Sequence, residues 1–154
     1  MGFGTGLNAF LSLRESRLNP ELKINYTGIE KHPLENTVTE QLNYPEITGL
    51  NKRLFTKMHK ARINVHTKII DNFFLTKIVG DIRELKLKPA FDLVFYDAFS
   101  PEKQAELWTD DIFIKIRNLL NPGALLLTYS SKGTVKQALR NTGFKVSRLA
   151  NDTF

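Results

Sequence analysis

Three glycines fall within five residues at the start of this chain, in Gly2-Phe3-Gly4-Thr5-Gly6, and a helical pattern begins directly behind them. Glycine takes up left-handed backbone without a steric penalty, so such a run permits a tight turn and a close approach to a ligand. A helix that starts there points unsatisfied backbone N–H groups at the turn. In open α/β folds this arrangement holds a nucleotide-type cofactor at the carboxyl ends of the strands. The plain alternative is a glycine-rich loop at a frayed terminus, and the pattern of the remaining chain bears on the choice.

Leu7, Phe10, Leu11, Leu13 and Leu18 fall at largely helical spacing, and Asn19-Pro20 ends that helix. Residues 24–30 read as a strand ending in Glu30. His32-Pro33 opens an expected helix over residues 32–42, and residues 43–49 read as a loop marked by Tyr44-Pro45 and Thr48-Gly49. Residues 50–62 form an amphipathic, basic segment. Residues 63–70 and 73–79 predict two strands joined by a turn at Asp71-Asn72, and residues 82–87 a short helix or turn. Residues 91–96 are a near-continuous apolar run ending in Asp97, the pattern of a strand buried on both faces in a parallel sheet. Residues 109–120 predict a helix stopped by Asn121-Pro122-Gly123, residues 124–129 a buried strand, residues 132–141 a helix capped by Thr142-Gly143, and residues 144–149 a final strand. Alternation of this kind predicts an α/β fold, a Rossmann-like three-layer sandwich with a mostly parallel sheet. A glycine turn in such folds follows a strand, and here the glycines stand first. The expectation is one domain over residues 1–154 that lacks its first strand.

Composition narrows the chemistry. The 154 residues suffice for one ordinary domain, and the apolar and charged fractions, 42% and 25%, are those of a folded chain. With no cysteine, disulfides, thiolate zinc sites and cysteine nucleophiles are excluded, and a cytoplasmic address fits. No apolar run is long enough to cross a membrane, and the N-terminus does not read as a signal peptide. The net charge of +6 suits a polyanionic partner such as RNA, although it also serves plain solubility. His32, His59 and His66 lack metal-ligand spacing and read as surface histidines, so no metal is expected. Ser130 and Ser131 lack the Gly-x-Ser-x-Gly turn of hydrolases, and no phosphate-binding loop pattern of the nucleotide triphosphatases occurs.

Three carboxylates stand at strand ends. Glu30 can accept hydrogen bonds from both ribose hydroxyls of a cofactor, or simply pair with Lys31. Asp81 can accept from an adenine amine, cap the turn behind it, or do both. Asp97, at the tip of the most apolar strand and followed by Ala98-Phe99-Ser100-Pro101, suits contact with a substrate amine, or serves as a turn aspartate before Pro101. Trp108 and Phe113 read as core or lid packing. Lys52, Arg53, Lys57, Lys60, Arg62 and Lys68, with Phe55 and His59 interspersed, could track an RNA backbone with aromatic help for an unstacked base, or form a solvated helix face.

Taken in order, Gly2-Phe3-Gly4-Thr5-Gly6-Leu7-Asn8, Ile29-Glu30-Lys31, Gly80-Asp81, Tyr96-Asp97-Ala98-Phe99-Ser100-Pro101, Leu107-Trp108-Thr109, Asn121-Pro122-Gly123 and Thr128-Tyr129-Ser130 resemble the MnmC/MnmD methyltransferase family over nearly the whole chain. The resemblance implies S-adenosylmethionine as cofactor and tRNA as partner. It implies methyl transfer to the amine of 5-aminomethyl-2-thiouridine at the wobble position, giving 5-methylaminomethyl-2-thiouridine. It implies that Gly2, Gly4 and Gly6 line the methionine end of the cofactor, Glu30 its ribose and Asp81 its adenine. Phe3, Thr5, Asn8, Lys31 and Ile82 complete the expected cofactor set. Asp97 matches the family's substrate-facing acid, with Phe99, Pro101, Trp108 and Tyr129 expected around the substrate. Family members carry residues ahead of the glycine loop and a glycine- and basic-rich ending, where this chain has Ala150-Asn151-Asp152-Thr153-Phe154. The expectation is therefore a chain incomplete at both ends. Some members carry a fused flavin oxidoreductase domain, which nothing here resembles. The competing expectations are a Rossmann methyltransferase for another amine, small or on protein, and a non-catalytic RNA-binding module. A nicotinamide dehydrogenase is weakened by the lack of a placed Tyr-Lys proton donor.

Overall fold

The structure, a computed structural model, describes residues 1–149. The expected departure of the tail, residues 150–154, lies outside them. The chain is α/β and divides into two compact units, Met1–Leu85 and a second that begins at Lys86.

The first unit is built on a three-stranded sheet. Helix α1 (Leu7–Leu18) leads into β1 (Ile24–Glu30), and the hairpin of β2 (Thr67–Ile70) and β3 (Phe73–Val79) comes after three short helices. The strand order is β1-β3-β2, with β1 parallel to β3 and β2 antiparallel to it. Glu30 is thereby registered against Val79, so the chain leaves both parallel strands at the same edge of the sheet. Phe10 and Leu13 of α1 pack with Phe55 and Met58 of α4 (Lys52–Lys60) on Ile69, Phe73 and Leu75 of the hairpin, all buried. One side chain ties the far edge together. Asn72, in the hairpin turn, donates through Nδ2 to the carbonyls of Ser16 (2.7 Å), Leu22 (3.0 Å) and Pro20 (3.2 Å), while its own carbonyl accepts from the Ile24 amide at 2.8 Å.

Several elements differ from expectation for identifiable reasons. The helix expected over residues 32–42 shrinks to α2 (Asn36–Thr39), because Pro33 and an extended Glu35 keep the approach open. The loop expected over residues 43–49 is a short helix, α3 (Tyr44–Thr48). Pro45 sits in its first turn, where its missing N–H costs nothing, and left-handed Gly49 (φ 68°) ends it. The strand expected over residues 63–70 forms only at Thr67–Ile70. Ile63 keeps an isolated bridge to Lys77, and left-handed Asn64 (φ 59°) breaks the run.

His59 corrects another expectation. It does not sit as a surface histidine: its Nε2 is buried without a hydrogen-bond partner, and its ring meets Phe55 edge-on at 4.5 Å and Phe3 at 5.9 Å. Its carbonyl accepts from the Lys77 ammonium. Burial first, and then the Lys77 charge, hold the imidazole below its ordinary pKa of 6.5, against a weaker opposing hydrogen bond to the Thr5 backbone. Phe55 is likewise core, so neither ring of the basic segment is available to stack on a base.

In the second unit β4 (Phe91–Phe95) pairs parallel with β5 (Leu120–Leu127), and α5 (Asp110–Arg117) and α6 (Gly133–Asn141) bury Ile112, Phe113, Ile116, Val135, Ala138 and Leu139. The apolar run at β4 is not buried on both faces: Leu93 is 42% exposed, beside Leu125 at 61%. It has a single hydrogen-bonded neighbour among the described residues, and burial on both faces requires cover on both. The helix expected over residues 109–120 stops at Arg117, and Asn121-Pro122-Gly123 lies inside β5 instead of ending a helix. There the register jumps from Phe91↔Leu120 to Leu93↔Leu125, a bulge that accommodates a proline without an amide and a left-handed Gly123 (φ 81°). Asn121 Nδ2 closes it on Asp92 at 2.8 Å. No strand forms over residues 144–149. Left-handed Gly143 ends α6, the Phe144 amide turns back to the Leu139 carbonyl at 3.0 Å, and the alternating apolar residues behind it find no ladder.

This packing has two measurable consequences. Asn72→Ala leaves several carbonyls without their donor and lowers unfolding free energy by about 1–3 kcal/mol, measured by urea denaturation. The unfolded chain protonates His59 more readily than the folded one, so this contribution is complete above about pH 6.5 and is lost as pH falls below it. The thermal midpoint therefore drops between about pH 7.5 and about pH 5.5, and drops less in His59→Leu. An equal drop in both proteins contradicts the assignment.

Candidate active site

The glycine loop lies on the end of β1. The amides of Gly2 and Phe3 both donate to the Ile29 carbonyl, at 3.1 and 2.9 Å, and the Gly6 amide closes a turn on the Phe3 carbonyl at 2.8 Å. Gly2, Gly4 and Gly6 are all left-handed, with φ of 79°, 49° and 78°, which side chains with a Cβ tolerate poorly. The last residue of β1 holds the loop. Glu30 Oε2 accepts from the Gly4 amide at 2.9 Å and Oε1 from the His32 amide at 2.9 Å. Thr5 Oγ1 and the Tyr44 hydroxyl share a hydrogen bond of 2.9 Å, which ties the loop to α3.

The neighbouring strand end carries Asp81. The Gly80 amide donates to the Glu30 carbonyl at 3.0 Å, which fixes the two strand exits side by side. Asp81 Oδ2 meets Arg83 Nη2 at 2.6 Å and Lys31 Nζ at 3.1 Å, and Oδ1 accepts from the Arg83 amide at 2.9 Å. The Arg83 hydrogen bonds, with Lys31 and the Arg83 charge behind them, hold the carboxyl well below the usual carboxylate range, against the opposing effect of burial. The Glu84 and Leu85 amides both donate to the Asp81 carbonyl, so Asp81 also caps the turn that buries Ile82. Its capping and its availability as an acceptor coexist.

Within this unit the structure thus brings together Gly2, Phe3, Gly4, Thr5, Gly6, Glu30, Lys31, Asp81 and Ile82, with Asn8 in the first turn of α1. The acceptor set suits a neutral or cationic ligand with hydroxyl and amine hydrogens: Glu30, with one bond on each oxygen, keeps lone pairs beside a bare backbone turn, whereas Asp81 is filled by Arg83 and Lys31 and would have to be shared with them. Nothing lies within 4 Å of the position a Cβ on Gly4 would take, so the turn is open on that side.

Two residues of this neighbourhood escaped the sequence reading. A Cβ on Gly28 would stand 2.3 Å from the Phe3 ring, so the bare strand position is what seats Phe3 under the loop. On the other side, His59 Nε2 lies 3.1 Å from the corresponding point on Gly6. The first had a signal, a glycine in mid-strand. The second had none, because a histidine in the last turn of a basic helix reads as solvated.

In the second unit the chain leaves β4 through buried Tyr96 into an exposed Asp97. Tyr96 donates its amide to the Leu127 carbonyl at 2.7 Å and its hydroxyl to the Leu107 carbonyl, and burial pushes its phenol above the ordinary range. The loop behind Asp97 is held by two aromatic residues. Trp108 Nε1 donates to the Phe99 carbonyl at 2.8 Å, and the Tyr129 hydroxyl to the Ala98 carbonyl at 2.9 Å. Trp108 is 7% exposed and stands edge-on to Tyr96, Phe113 and Tyr129, whereas Phe99 is 68% exposed. Phe99 and Tyr129 are exposed and Pro101 partly so, whereas buried Trp108 reaches this loop only through its indole N–H. Among the described residues no cluster of metal-ligating side chains occurs, and no helix is long and apolar enough to cross a membrane.

Comparison with known proteins identifies the family. A family model described as S-adenosyl-L-methionine-dependent methyltransferase matches residues 45–151. The tRNA 5-methylaminomethyl-2-thiouridine biosynthesis bifunctional proteins MnmC of Ectopseudomonas mendocina and Cupriavidus necator are each 30% identical to this chain over 96% of its length. The chain spans 24% of the length of each. A solved structure, of MNMC2 from Aquifex aeolicus, is 30% identical and superposes with a TM-score of 0.69, covering 94% of this chain and 46% of that one. With the family model matched over well more than half of its residues, and a Rossmann-like sheet carrying glycines and carboxylates at its strand ends, the chain belongs to the S-adenosyl-L-methionine-dependent methyltransferase family.

Proposed function

We propose that this chain is an N-methyltransferase that converts 5-aminomethyl-2-thiouridine to 5-methylaminomethyl-2-thiouridine at the wobble position of tRNA. The observation that carries the cofactor half is the glycine loop hydrogen-bonded through Gly4 to Glu30, beside Asp81 on the adjoining parallel strand. Gly2, Gly4 and Gly6 would line the methionine end of S-adenosylmethionine, Glu30 its ribose and Asp81 its adenine amine, with Phe3, Thr5, Asn8, Lys31 and Ile82 around them. The names of the MnmC relatives support the tRNA half. When bound, the cofactor supplies an electrophilic methyl group on a sulfonium.

The chemistry left to the protein is to present an amine nitrogen with its lone pair free. A protonated amine has none, so the site must take or create the neutral form. Asp97 would accept an N–H hydrogen bond from that amine, aim the lone pair and stabilise the positive charge that grows on nitrogen. The aromatic struts fit this role. Trp108 and Tyr129 fix the carbonyls of the two residues that come after Asp97, which limits how far that carboxylate can wander.

The decisive assay follows labelled methyl from S-adenosylmethionine into hypomodified tRNA, with bulk protein and small amines in parallel. Incorporation confined to tRNA is expected, and incorporation into protein or small amines alone replaces this substrate with another. Asp97→Asn is expected to slow turnover by about a hundred- to a thousandfold while calorimetric binding of S-adenosylhomocysteine persists. Unchanged turnover removes Asp97 from the chemistry. Glu30→Ala loses both the ribose acceptor and the Gly4 anchor and is expected to weaken S-adenosylhomocysteine about tenfold or more. Failure of the unsubstituted chain to bind it at all favours the non-catalytic module.

A further inference from the structure

Helix α4 has two faces with different work. Phe55, Met58 and the His59 ring face the core and the glycine loop, which turns the other side of the helix outward. Arg53, Lys57 and Lys60 stand at intervals of four and three, the spacing of one helix face, with Lys52 alongside. This face and residues 61–67 bound a shallow, open groove of about 940 Å³. Its lining includes Lys52, Arg53, Lys57, Lys60 and Arg62, all exposed, and no carboxylate. Among the described residues none of the five is paired with an acidic side chain. Lys57 is pinned at one wall, its Nζ donating to the Ile69 carbonyl at 2.8 Å. Five unneutralised cations around a concave surface raise the local potential for a polyanion well above that of scattered charges.

An aromatic element stands at the same groove. The exposed His66, which lines it, stacks on Phe74 with ring centres 5.0 Å apart and planes 4° from parallel, and Lys23 Nζ lies 5.4 Å from the Phe74 ring centre. Charges that track a backbone, joined to a flat ring on which a base can lie, are the ordinary equipment for single-stranded nucleic acid. An anionic membrane surface would meet the same cations and the exposed Ile63 and Val65, but it has no use for a flat ring stacked as His66 is, and the vesicle arm of the test separates the two.

We propose that the groove between α4 and residues 61–67 binds the phosphodiester backbone of an RNA strand, with His66 as a stacking surface for one of its bases. The choice of RNA over other polyanions rests on the proposed tRNA substrate; the charge and shape arguments do not.

The test uses the whole chain and fluorescence anisotropy with labelled single-stranded oligouridylate, in salt from about 50 to about 200 mM. Arg53→Gln/Arg62→Gln is expected to bind at least about tenfold more weakly at the lower salt, with the slope of log affinity against log salt reduced by about 1.4. His66→Ala is expected to lose about fivefold or more with the slope unchanged, since stacking carries no counterion. Lys103→Gln/Lys145→Gln, exposed positions in the second unit, removes the same charge and is expected to bind as the unsubstituted chain does. Thermal midpoints of all variants confirm that they fold. Equal affinity in Arg53→Gln/Arg62→Gln, or an equal loss in Lys103→Gln/Lys145→Gln, overturns the proposal. So does binding to phosphatidylglycerol vesicles that falls in Arg53→Gln/Arg62→Gln while oligouridylate binding does not. The assay needs no cofactor, so failed methyl transfer leaves it readable, and a failed groove leaves the S-adenosylhomocysteine titration intact.

Discussion

The carboxylate of Glu30 is the joint on which the first unit's site is assembled. One oxygen accepts the Gly4 amide and the other the His32 amide, so a single side chain holds the loop ahead of α1 and the exit of β1 in one place. Charge-assisted bonds from an ionised acceptor to backbone N–H groups are among the stronger ones available to a protein. Parallel pairing does the rest. Because β1 and β3 run together in register, Asp81 emerges beside Glu30, and Lys31 can reach across to it. The cost is that Asp81 is already engaged by two cations, so a ligand amine would share it with Arg83 and Lys31.

Much of this was legible in the sequence, and the legible parts share a cause. Glycines with helical periodicity behind them, and acidic residues at the ends of apolar runs, are local signals, and such signals give α1, β1, β3 and α6 to within a residue or two. The failures lie where a local signal had two physical meanings. Pro45 and Gly49 punctuate a loop as readily as they start and stop a short helix. Asn121-Pro122-Gly123 ends a helix as readily as it bulges a strand. An alternating segment such as residues 144–149 becomes a strand only where a neighbour offers its edge. His59 and Phe55 were hidden more deeply, because the identity of a basic helix says nothing of which side faces the core until the sheet beneath it is in place.

The second unit shows a different economy. Its exposed acid, Asp97, is placed by residues that have no need to touch a ligand. Tyr96 anchors the strand end to β5 and to the Leu107 carbonyl, and Trp108 and Tyr129 hold the two carbonyls after Asp97. A loop held through its backbone keeps its shape independently of what its exposed side chains touch, so contacts made by Phe99 need not move the carboxylate.

Trp108 is the single tryptophan of the chain, and its indole N–H is bonded to the backbone of that same loop. The protein therefore carries a built-in optical reporter at the spot where the loop's position matters. Ultraviolet-excited emission, dominated by one indole in a buried and hydrogen-bonded setting, changes colour or intensity when the Phe99 carbonyl moves away, and no label has to be attached to see it.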